Sequence, residues 1–272
     1  MKITVITLFP EMIQAFCSQS IVKRAQDKGL VEMEIVNLRD FAVDSYGSVD
    51  DRPYGGGAGM VLRADVVTRA LSKILNFKFS ILKKNKNKEA MKQWNNEKVV
   101  ITSARGKVYS QNMAQEYAKL EHLVILAGHY EGFDERVHEM ADEEVSIGDY
   151  VLTGGELPAA VILDSVVRLL PGVLKKEEAT VNESFFKISI NQLIKMLGED
   201  DVLMSLKNRG QTEVMLLEYP QYTRPETFED KKVPAVLLSG NHAEIEKWKL
   251  QKAYEYTKKN RPDLLGKVMK ES

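Results

Sequence analysis

Short apolar runs alternate with amphipathic segments along the first two thirds of the chain. Residues 2–8 alternate and are rich in β-branched side chains, which predicts a strand. Apolar positions at helical spacing predict a helix over residues 11–27, ended by Gly29. Residues 31–37 predict a second strand. A strand, a helix and a strand in this order indicate a parallel α/β sheet.

The same alternation continues beyond the first sheet unit. Residues 98–103 predict a strand, and residues 122–127 predict another that is apolar throughout. Such a strand is expected at the centre of a parallel sheet, where both of its faces are buried. Helices are predicted over three further segments, residues 64–75, 109–120 and 159–170.

A glycine-rich stretch, residues 146–158, lies between a predicted strand and a predicted helix. Glycine lets the backbone approach a ligand closely, and the free amide and carbonyl groups of such a turn suit the edge of a flat heterocycle. The pattern matches neither the dinucleotide-binding motif nor the P-loop, and an ordinary connection is an equally open reading. Ligands of α/β folds bind at the carboxyl ends of strands, so one crevice should form from the loops after Ile101, Ala127 and Ile147.

Residues 49–61 form a second glycine-rich stretch that is polar at its start and apolar at its end. Long loops on a rigid α/β scaffold often carry function. Tyr54 beside Arg52 is compatible with stacking on a nucleobase. A surface loop without a ligand is the alternative interpretation.

The remaining segments are less regular. Residues 76–98 are rich in Lys and Asn and predict a solvated insertion, with a partial helix over residues 89–94. Near the end of the chain a helix is predicted over residues 243–259, with Asn241 as its N-cap. Its basic and aromatic residues suit either contacts with RNA or a helical cap used for packing or dimerisation. Helical segments are also expected over residues 188–197 and 201–206, and an extended segment over residues 216–225.

Composition excludes several classes of site. Lys and Arg number 38 against 39 Asp and Glu, so any surface for a polyanion must be a local patch. The single cysteine, Cys17, excludes an intrachain disulfide and a CxxC metal knuckle. The four histidines lack the HExxH spacing of a zinc site. No apolar run approaches the roughly 20 residues of a membrane span, so we expect a cytoplasmic protein.

Several blocks, in chain order, closely resemble bacterial tRNA (guanine-N1)-methyltransferase, the SPOUT-type family that methylates the guanine 3′ of the anticodon, at tRNA position 37. The similarity covers nearly the whole chain, and it is far more specific than one glycine loop. The blocks are residues 50–60, 128–132, 146–158, 222–225 and 239–245.

The resemblance implies a fold and an assembly. The fold is an α/β domain whose parallel sheet carries a deep trefoil knot, followed by a small, mainly helical C-terminal domain. The implied domains are a knotted cofactor-binding domain over residues 1–174, a linker with an insertion over 175–215, and a tRNA-binding domain over 216–272. Because the linker of this family orders on tRNA binding, we expect the insertion, roughly residues 186–215, to stay mobile without RNA. The implied partners are tRNA and a second copy in a homodimer that shares its active site.

The resemblance also implies residue roles, with S-adenosylmethionine as the cofactor. Arg168 and Glu183 would be catalytic, the second as general base where the family has Asp. A divalent ion such as magnesium would assist transfer, although the sequence contains no recognisable metal cage. The cofactor would contact Thr102, Ser103, Gly128, Tyr130, Glu131, Ser146, Ile147, Gly148, Tyr150, Leu152, Gly154, Gly155 and Pro158. The substrate RNA would contact Asp50, Arg52, Tyr54, Gly59 and Ser184.

Besides the insertion over roughly residues 186–215, two departures from the family pattern are present. Glu183 is one methylene longer than the family's base, and the segment Ser103-Ala104-Arg105 stands where the family often has Ser-Pro-Gln. A protein that binds RNA without catalysis is therefore one alternative. A SPOUT methyltransferase acting on another RNA is a second, although residues 222–225 and 239–245 favour tRNA.

Overall fold

The computed structural model describes residues 1–75, 96–175 and 183–266. The chain divides into two compact units, Met1–Lys175 and Lys176–Ser272. Most of the predicted insertion over residues 76–98, including its partial helix, lies outside the described residues, as do residues 176–182 of the predicted linker.

The first unit is an α/β fold around a five-stranded parallel sheet with the order β2-β1-β6-β5-β7. This confirms the predicted parallel sheet. Its elements are β1 Lys2–Thr7, α1 Pro10–Cys17, α2 Ser20–Asp27, β2 Glu32–Asn37, a 3-10 turn Leu38–Phe41, β3 Asp50–Asp51, β4 Val61–Leu62, α3 Ala64–Ile74, β5 Glu97–Val108, α4 Gln111–Tyr117, β6 His122–Ala127, α5 Glu135–His138, β7 Glu143–Ser146 and α6 Glu156–Val167.

Strand β6 lies at the centre of the sheet, as its apolar sequence predicts, and all of its residues are buried. Because successive side chains of a strand point to opposite faces, β6 contributes to two cores. Leu123 and Ile125 pack with α1, α2, α4 and α6 on one face. Val124 and Leu126 pack with α3 and α5 on the other.

The helix predicted over residues 11–27 is wrong as a single element, since α1 and α2 are separated at Ser18 and Gln19. The Ser18 hydroxyl donates to Ala15 O at 2.9 Å, and Ser20 has φ of +50°. Serine side chains compete for backbone groups in this way and favour helix ends. Gly29 closes α2 as predicted, with φ of +67° and a hydrogen bond from its N–H to Gln26 O.

Strand β5 is longer than predicted because it bulges and then resumes. Val145 of β7 pairs first with Thr102 and then with Lys107, so residues 103–106 protrude from the ladder. A side chain at Gly106 would collide with the backbone of Val145, so a glycine allows the two strands to meet again. The bulge places residues 103–105 at the carboxyl end of the sheet.

The second unit begins with a segment that the sequence predicts to be part of the linker. Ile190, Leu193 and Leu203 from this segment are buried in one hydrophobic core with Ala253 and Tyr254 of the long C-terminal helix. In the structure, residues 186–215, which the resemblance implies to be an insertion in the linker, lie within this second unit. The elements are β8 Phe186–Ser189, α7 Ile190–Leu197, α8 Asp201–Asn208, β9 Glu213–Leu216, β10 Thr227–Phe228, β11 Lys231–Lys232, α9 Ala235–Leu238, α10 His242–Asn260 and α11 Asp263–Gly266.

Hydrogen bonds strengthen the packing of this segment on α10. Asp200 caps α8 by accepting from Val202 N at 2.9 Å, and it also accepts from Tyr254 Oη at 2.6 Å and Lys258 Nζ at 3.0 Å. Asn241 caps α10 as predicted. Among the described helices, none has the length and apolar character needed to cross a bilayer.

Candidate active site

A cavity of about 470 Å³ opens at the carboxyl end of the parallel sheet, within the first unit. Its walls are the bulge of β5, the loop that follows β6 and the glycine-rich stretch that follows β7. These are the loops that the sequence predicts to converge. The volume lies within the range of small-molecule sites in proteins.

Every residue predicted to contact the cofactor lines this cavity. The set comprises Thr102, Ser103, Gly128, Tyr130, Glu131, Ser146, Ile147, Gly148, Tyr150, Leu152, Gly154, Gly155 and Pro158. Polar residues outside that predicted set also line it, namely Arg105, His129, Glu135, His138 and Thr153.

The start of the glycine-rich stretch is folded back on itself. The Ser146 hydroxyl donates to Gly148 O at 3.0 Å, and Gly148 N lies 3.2 Å from Ser146 Oγ. Gly148 has φ of +150°, and a Cβ there would lie 2.6 Å from the Tyr150 ring. A glycine is therefore required at this point of the turn.

The end of the stretch lies directly on the ends of two strands. Gly155 N donates to Gly128 O at 2.6 Å. A Cβ at Gly155 would collide with the Thr102 hydroxyl and would lie 2.7 Å from Gly128 N. Only a glycine lets the chain pass this close to β5 and β6.

A group of charged side chains forms the outer wall. The Arg105 guanidinium lies 3.1 Å from Glu135 Oε2, 3.3 Å from Glu144 Oε1 and 3.1 Å from His138 Nε2. The hydrogen bond with Glu135 and the charge of Glu144 raise the pKa of Arg105 above its usual value. The bulge of β5 is thereby tied to α5 and β7.

Comparison with known proteins gives the family. A sequence model of the family described as tRNA (guanine-1)-methyltransferase TrmD matches residues 1–267. The chain belongs to the TrmD family. A tRNA (guanine-N(1)-)-methyltransferase of Ruminiclostridium cellulolyticum is 45% identical over 269 residues, which cover 98% of this chain and 97% of the relative. One of Mycoplasmopsis synoviae is 42% identical over the full length of both chains.

The loop over residues 49–61 reaches this TrmD-family cavity at one point. Glu131 N donates to Met60 O at 3.0 Å, and the Glu131 side chain lies where a Cβ of Gly59 would be. Arg52 and Tyr54 are exposed. Within the described part of the chain, the cavity lining does not include the residues predicted to contact RNA, which are Asp50, Arg52, Tyr54, Gly59 and Ser184.

The residues predicted to be catalytic are divided between the units. Arg168 follows α6 in the first unit, and Glu183 belongs to the second. Ser184, beside Glu183, accepts a hydrogen bond from Glu218 N at 3.1 Å. The assignment of these residues stays a prediction. Over residues 1–75, 96–175 and 183–266, no group of three or more His, Cys, Asp or Glu is placed to hold a metal ion.

The sequence did not assign roles to His129, which lines the cavity, or to Glu156, which lies behind it. They are 27 positions apart in the chain, and only the fold brings the His129 ring within 3.5 Å of the Glu156 carboxylate. One feature of the sequence could have indicated Glu156: it is an acidic residue directly after Gly154 and Gly155, at the first turn of a predicted apolar helix.

Proposed function

We propose that this chain transfers a methyl group from S-adenosylmethionine to N1 of the guanine at position 37 of tRNA, 3′ of the anticodon. The observation that carries the proposal is the convergence of all the predicted cofactor-contacting residues on one cavity, in a chain of the TrmD family. The relatives are named tRNA (guanine-N(1)-)-methyltransferase, which agrees with the guanine N1 target.

The lining suits S-adenosylmethionine. The folded-back turn over residues 146–150 presents backbone groups beside the Tyr150 ring, which fits the edge and face of an adenine. The carboxylates of Glu131 and Glu135 lie in the lining and suit the positive charges of the cofactor. When bound, the cofactor supplies an electrophilic methyl group on a sulfonium.

The chain's own residues would prepare the guanine for attack. Guanine N1 carries a proton at neutral pH, so a base must remove it before N1 can act as a nucleophile. Glu183 would accept this proton, and Arg168 would stabilise the negative charge that develops toward O6. Residues 50–59 and Ser184 would hold the RNA, because positioning supplies much of the rate in such a transfer.

The proposal includes a deep trefoil knot. The path of the chain after β7 supports it: residues 147–155 turn back across the ends of β5 and β6, where Gly155 lies against Thr102 and Gly128. The helix that follows, α6, then packs in the core with Ile3, Val5 and Leu123 of β1 and β6. Ordinary sheet topologies lack such a crossing.

The proposal also includes a homodimer with a shared active site. Val151 in the cavity-lining stretch and Leu157 and Val161 on α6 are exposed. Exposed apolar residues grouped beside a ligand cavity are typical of an interaction surface. A second copy of the chain would cover them and complete the site for tRNA.

Methyl transfer can be tested with a labelled methyl donor and tRNA transcripts that carry guanine or adenine at position 37. We expect label only in the guanine transcript, recovered as 1-methylguanosine after digestion. Glu183→Gln should lower kcat by about 100-fold or more, the usual range for loss of a general base. Glu199→Gln is the matched control, because Glu199 is an exposed carboxylate of the same unit. Binding of tRNA without methylation would indicate the non-catalytic alternative, and label in another RNA would indicate a different substrate.

A further inference from the structure

Glu156 is a buried carboxylate that the proposed reaction does not use. It is the first residue of α6 and only 2% exposed, and it is absent from the lining of the cavity among the described residues. Thr7 Oγ1, at the end of β1, donates to Glu156 Oε1 at 2.8 Å. Burying a carboxylate is costly unless hydrogen bonds compensate for the lost water, so its position requires a reason.

The surroundings of Glu156 join the ends of three strands to the cavity. Gly155, the preceding residue, lies against Thr102 of β5 and against Gly128 after β6. A Cβ at Gly154 would collide with both the Glu156 carboxylate and the His129 ring. The chain therefore packs here without space for any side chain larger than hydrogen. The contacts that hold Glu156 in place therefore also hold the adjoining residues 146–155, which line the cavity.

His129 stands between this carboxylate and the cavity. Its ring lines the cavity, its side chain is 20% exposed, and Nδ1 lies 3.5 Å from Glu156 Oε2. Nδ1 is buried and has no hydrogen-bond partner among the described residues. A ring shift of a few tenths of an ångström would form a hydrogen bond to the carboxylate, and such bonds to charged groups are strong.

We infer that Glu156 is a positioning residue for the cofactor cavity: held by Thr7, it anchors His129 on one wall and residues 146–155 on the other. Binding in the cavity draws the His129 ring onto Glu156 and completes the hydrogen bond. This inference rests on the proposed cofactor site. It assigns roles to Glu156 and His129 that go beyond contact with the ligand.

The test measures binding of S-adenosylhomocysteine by calorimetry, which needs no catalysis. Glu156→Gln keeps the shape of the side chain and removes its charge, and we expect Kd to rise about tenfold or more. In the transfer assay the KM for the methyl donor should rise by a similar factor, while kcat and the KM for tRNA stay within about threefold. If Glu156 acts through His129, then Glu156→Gln should change Kd little in a His129→Gln background.

The matched control is His122→Gln. His122 is buried at the start of β6 and lies 2.9 Å from the Thr4 hydroxyl, whereas His129 follows the other end of this strand. This variant should lose stability and keep its affinity for S-adenosylhomocysteine. Should Glu156→Gln fail to fold, Thr7→Val removes the donor to Glu156, and Thr7→Ser restores it. We expect weakened binding in the first and near-normal binding in the second.

Each outcome separates the inference from the function. Failure of the unchanged chain to bind S-adenosylhomocysteine would overturn the proposed cofactor site itself. Normal binding by the unchanged chain together with equal binding by Glu156→Gln or Thr7→Val would overturn the inference alone. Additive effects of the Glu156 and His129 changes would show that the carboxylate does not act through the imidazole.

Discussion

The two ends of the central sheet carry the same kinds of side chain in different arrangements. At the amino edge, defined here by Lys2, Thr4, Glu34 and His122, the polar groups satisfy one another. Thr4 Oγ1 donates to Glu34 Oε2 at 3.0 Å and lies 2.9 Å from His122 Nε2, while Lys2 Nζ lies 2.8 Å from Glu34 Oε2. This network ties β2, β1 and β6 together.

At the carboxyl edge, defined by Thr7, Thr102, His129 and Glu156, a comparable set is left incomplete. Thr7 holds Glu156, but His129 Nδ1 lacks a hydrogen-bond partner among the described residues. Where the chain crosses the strand ends, the neighbouring atoms leave space only for glycine. The difference suggests that the amino edge serves stability, whereas the carboxyl edge completes its hydrogen bonds only when a ligand binds.

Gly155→Ala is the strongest way to disturb the carboxyl edge. The added methyl would collide with the Thr102 hydroxyl and would lie 2.7 Å from Gly128 N and 3.0 Å from Ala127 Cα. Two of these neighbours are backbone atoms, so the stretch must move. We expect the free energy of unfolding to fall by about 3 kcal/mol, at the upper end of overpacking effects, and S-adenosylhomocysteine binding to be lost.

The control for this substitution is Gly266→Ala. Among the described residues, a methyl group at Gly266 would meet no atom within 4 Å beyond its chain neighbours and its own helix backbone, and the φ of this glycine lies outside the left-handed region. Its free energy of unfolding should change by less than about 0.5 kcal/mol. Urea unfolding and calorimetry on both variants would check the prediction. Tight binding by Gly155→Ala would mean that the crossing of the strand ends is not rigid.

The amino edge can be separated from the carboxyl edge by pH. Burial lowers the pKa of His122, against the attraction of Glu97. The unfolded chain, with an ordinary histidine pKa of about 6.5, then binds a proton that the folded chain does not. Stability should therefore be unaffected by this group above about pH 6.5 and should fall as the pH drops below it.

His122→Gln should remove this part of the pH dependence. We expect the loss of unfolding free energy between pH 7 and pH 5 to be smaller in the variant, because the variant has no imidazole that takes up a proton on unfolding. Urea midpoints at the two pH values provide the measurement. An unchanged pH dependence in the variant would show that His122 is not the titrating group.

The sequence predicts the positions of the strands and of the cavity loop better than it predicts the contacts between distant residues. Apolar runs such as residues 122–127 locate the strands, and the glycines at 148, 154 and 155 mark the loop that lines the cavity. The pairing of His129 with Glu156 depends on a crossing that no local pattern encodes. Local signals also failed to show that Val145 pairs with both Thr102 and Lys107, which turns an expected loop into a bulge.

The two helices within residues 186–215 were predicted, but their packing into a core was not, for a related reason. Their apolar positions, among them Ile190 and Leu193, gain a partner only when α10 packs beside them more than 50 residues later in the chain. The charged Asp200 looks like part of a loop in sequence, yet it caps α8 and accepts from Tyr254. Long-range burial, rather than local propensity, makes this segment part of a unit.

Arg105, on the bulge of β5, provides the mildest test of the carboxyl edge. Its side chain is 60% exposed, and its ion pairs with Glu135 and Glu144 are therefore weak and screened by salt. Arg105→Gln should lower the free energy of unfolding by less than about 0.5 kcal/mol. Because the ion pairs hold the outer wall of the cavity, Kd for S-adenosylhomocysteine should rise about twofold to threefold at low salt.

Salt distinguishes this effect from a direct contact with the ligand. At about 1 M salt the Debye length is only about 3 Å, so the unchanged chain should lose the advantage of its ion pairs and bind like the variant. Calorimetric titrations of both proteins at low and high salt would show converging affinities. A constant ratio of the two Kd values across salt concentrations would mean that Arg105 acts through shape or direct hydrogen bonding. In that case the outer wall, like the buried contacts around Gly155, would support the ligand through packing and hydrogen bonds rather than through charge. The exposed and buried parts of the carboxyl edge would then act in the same way.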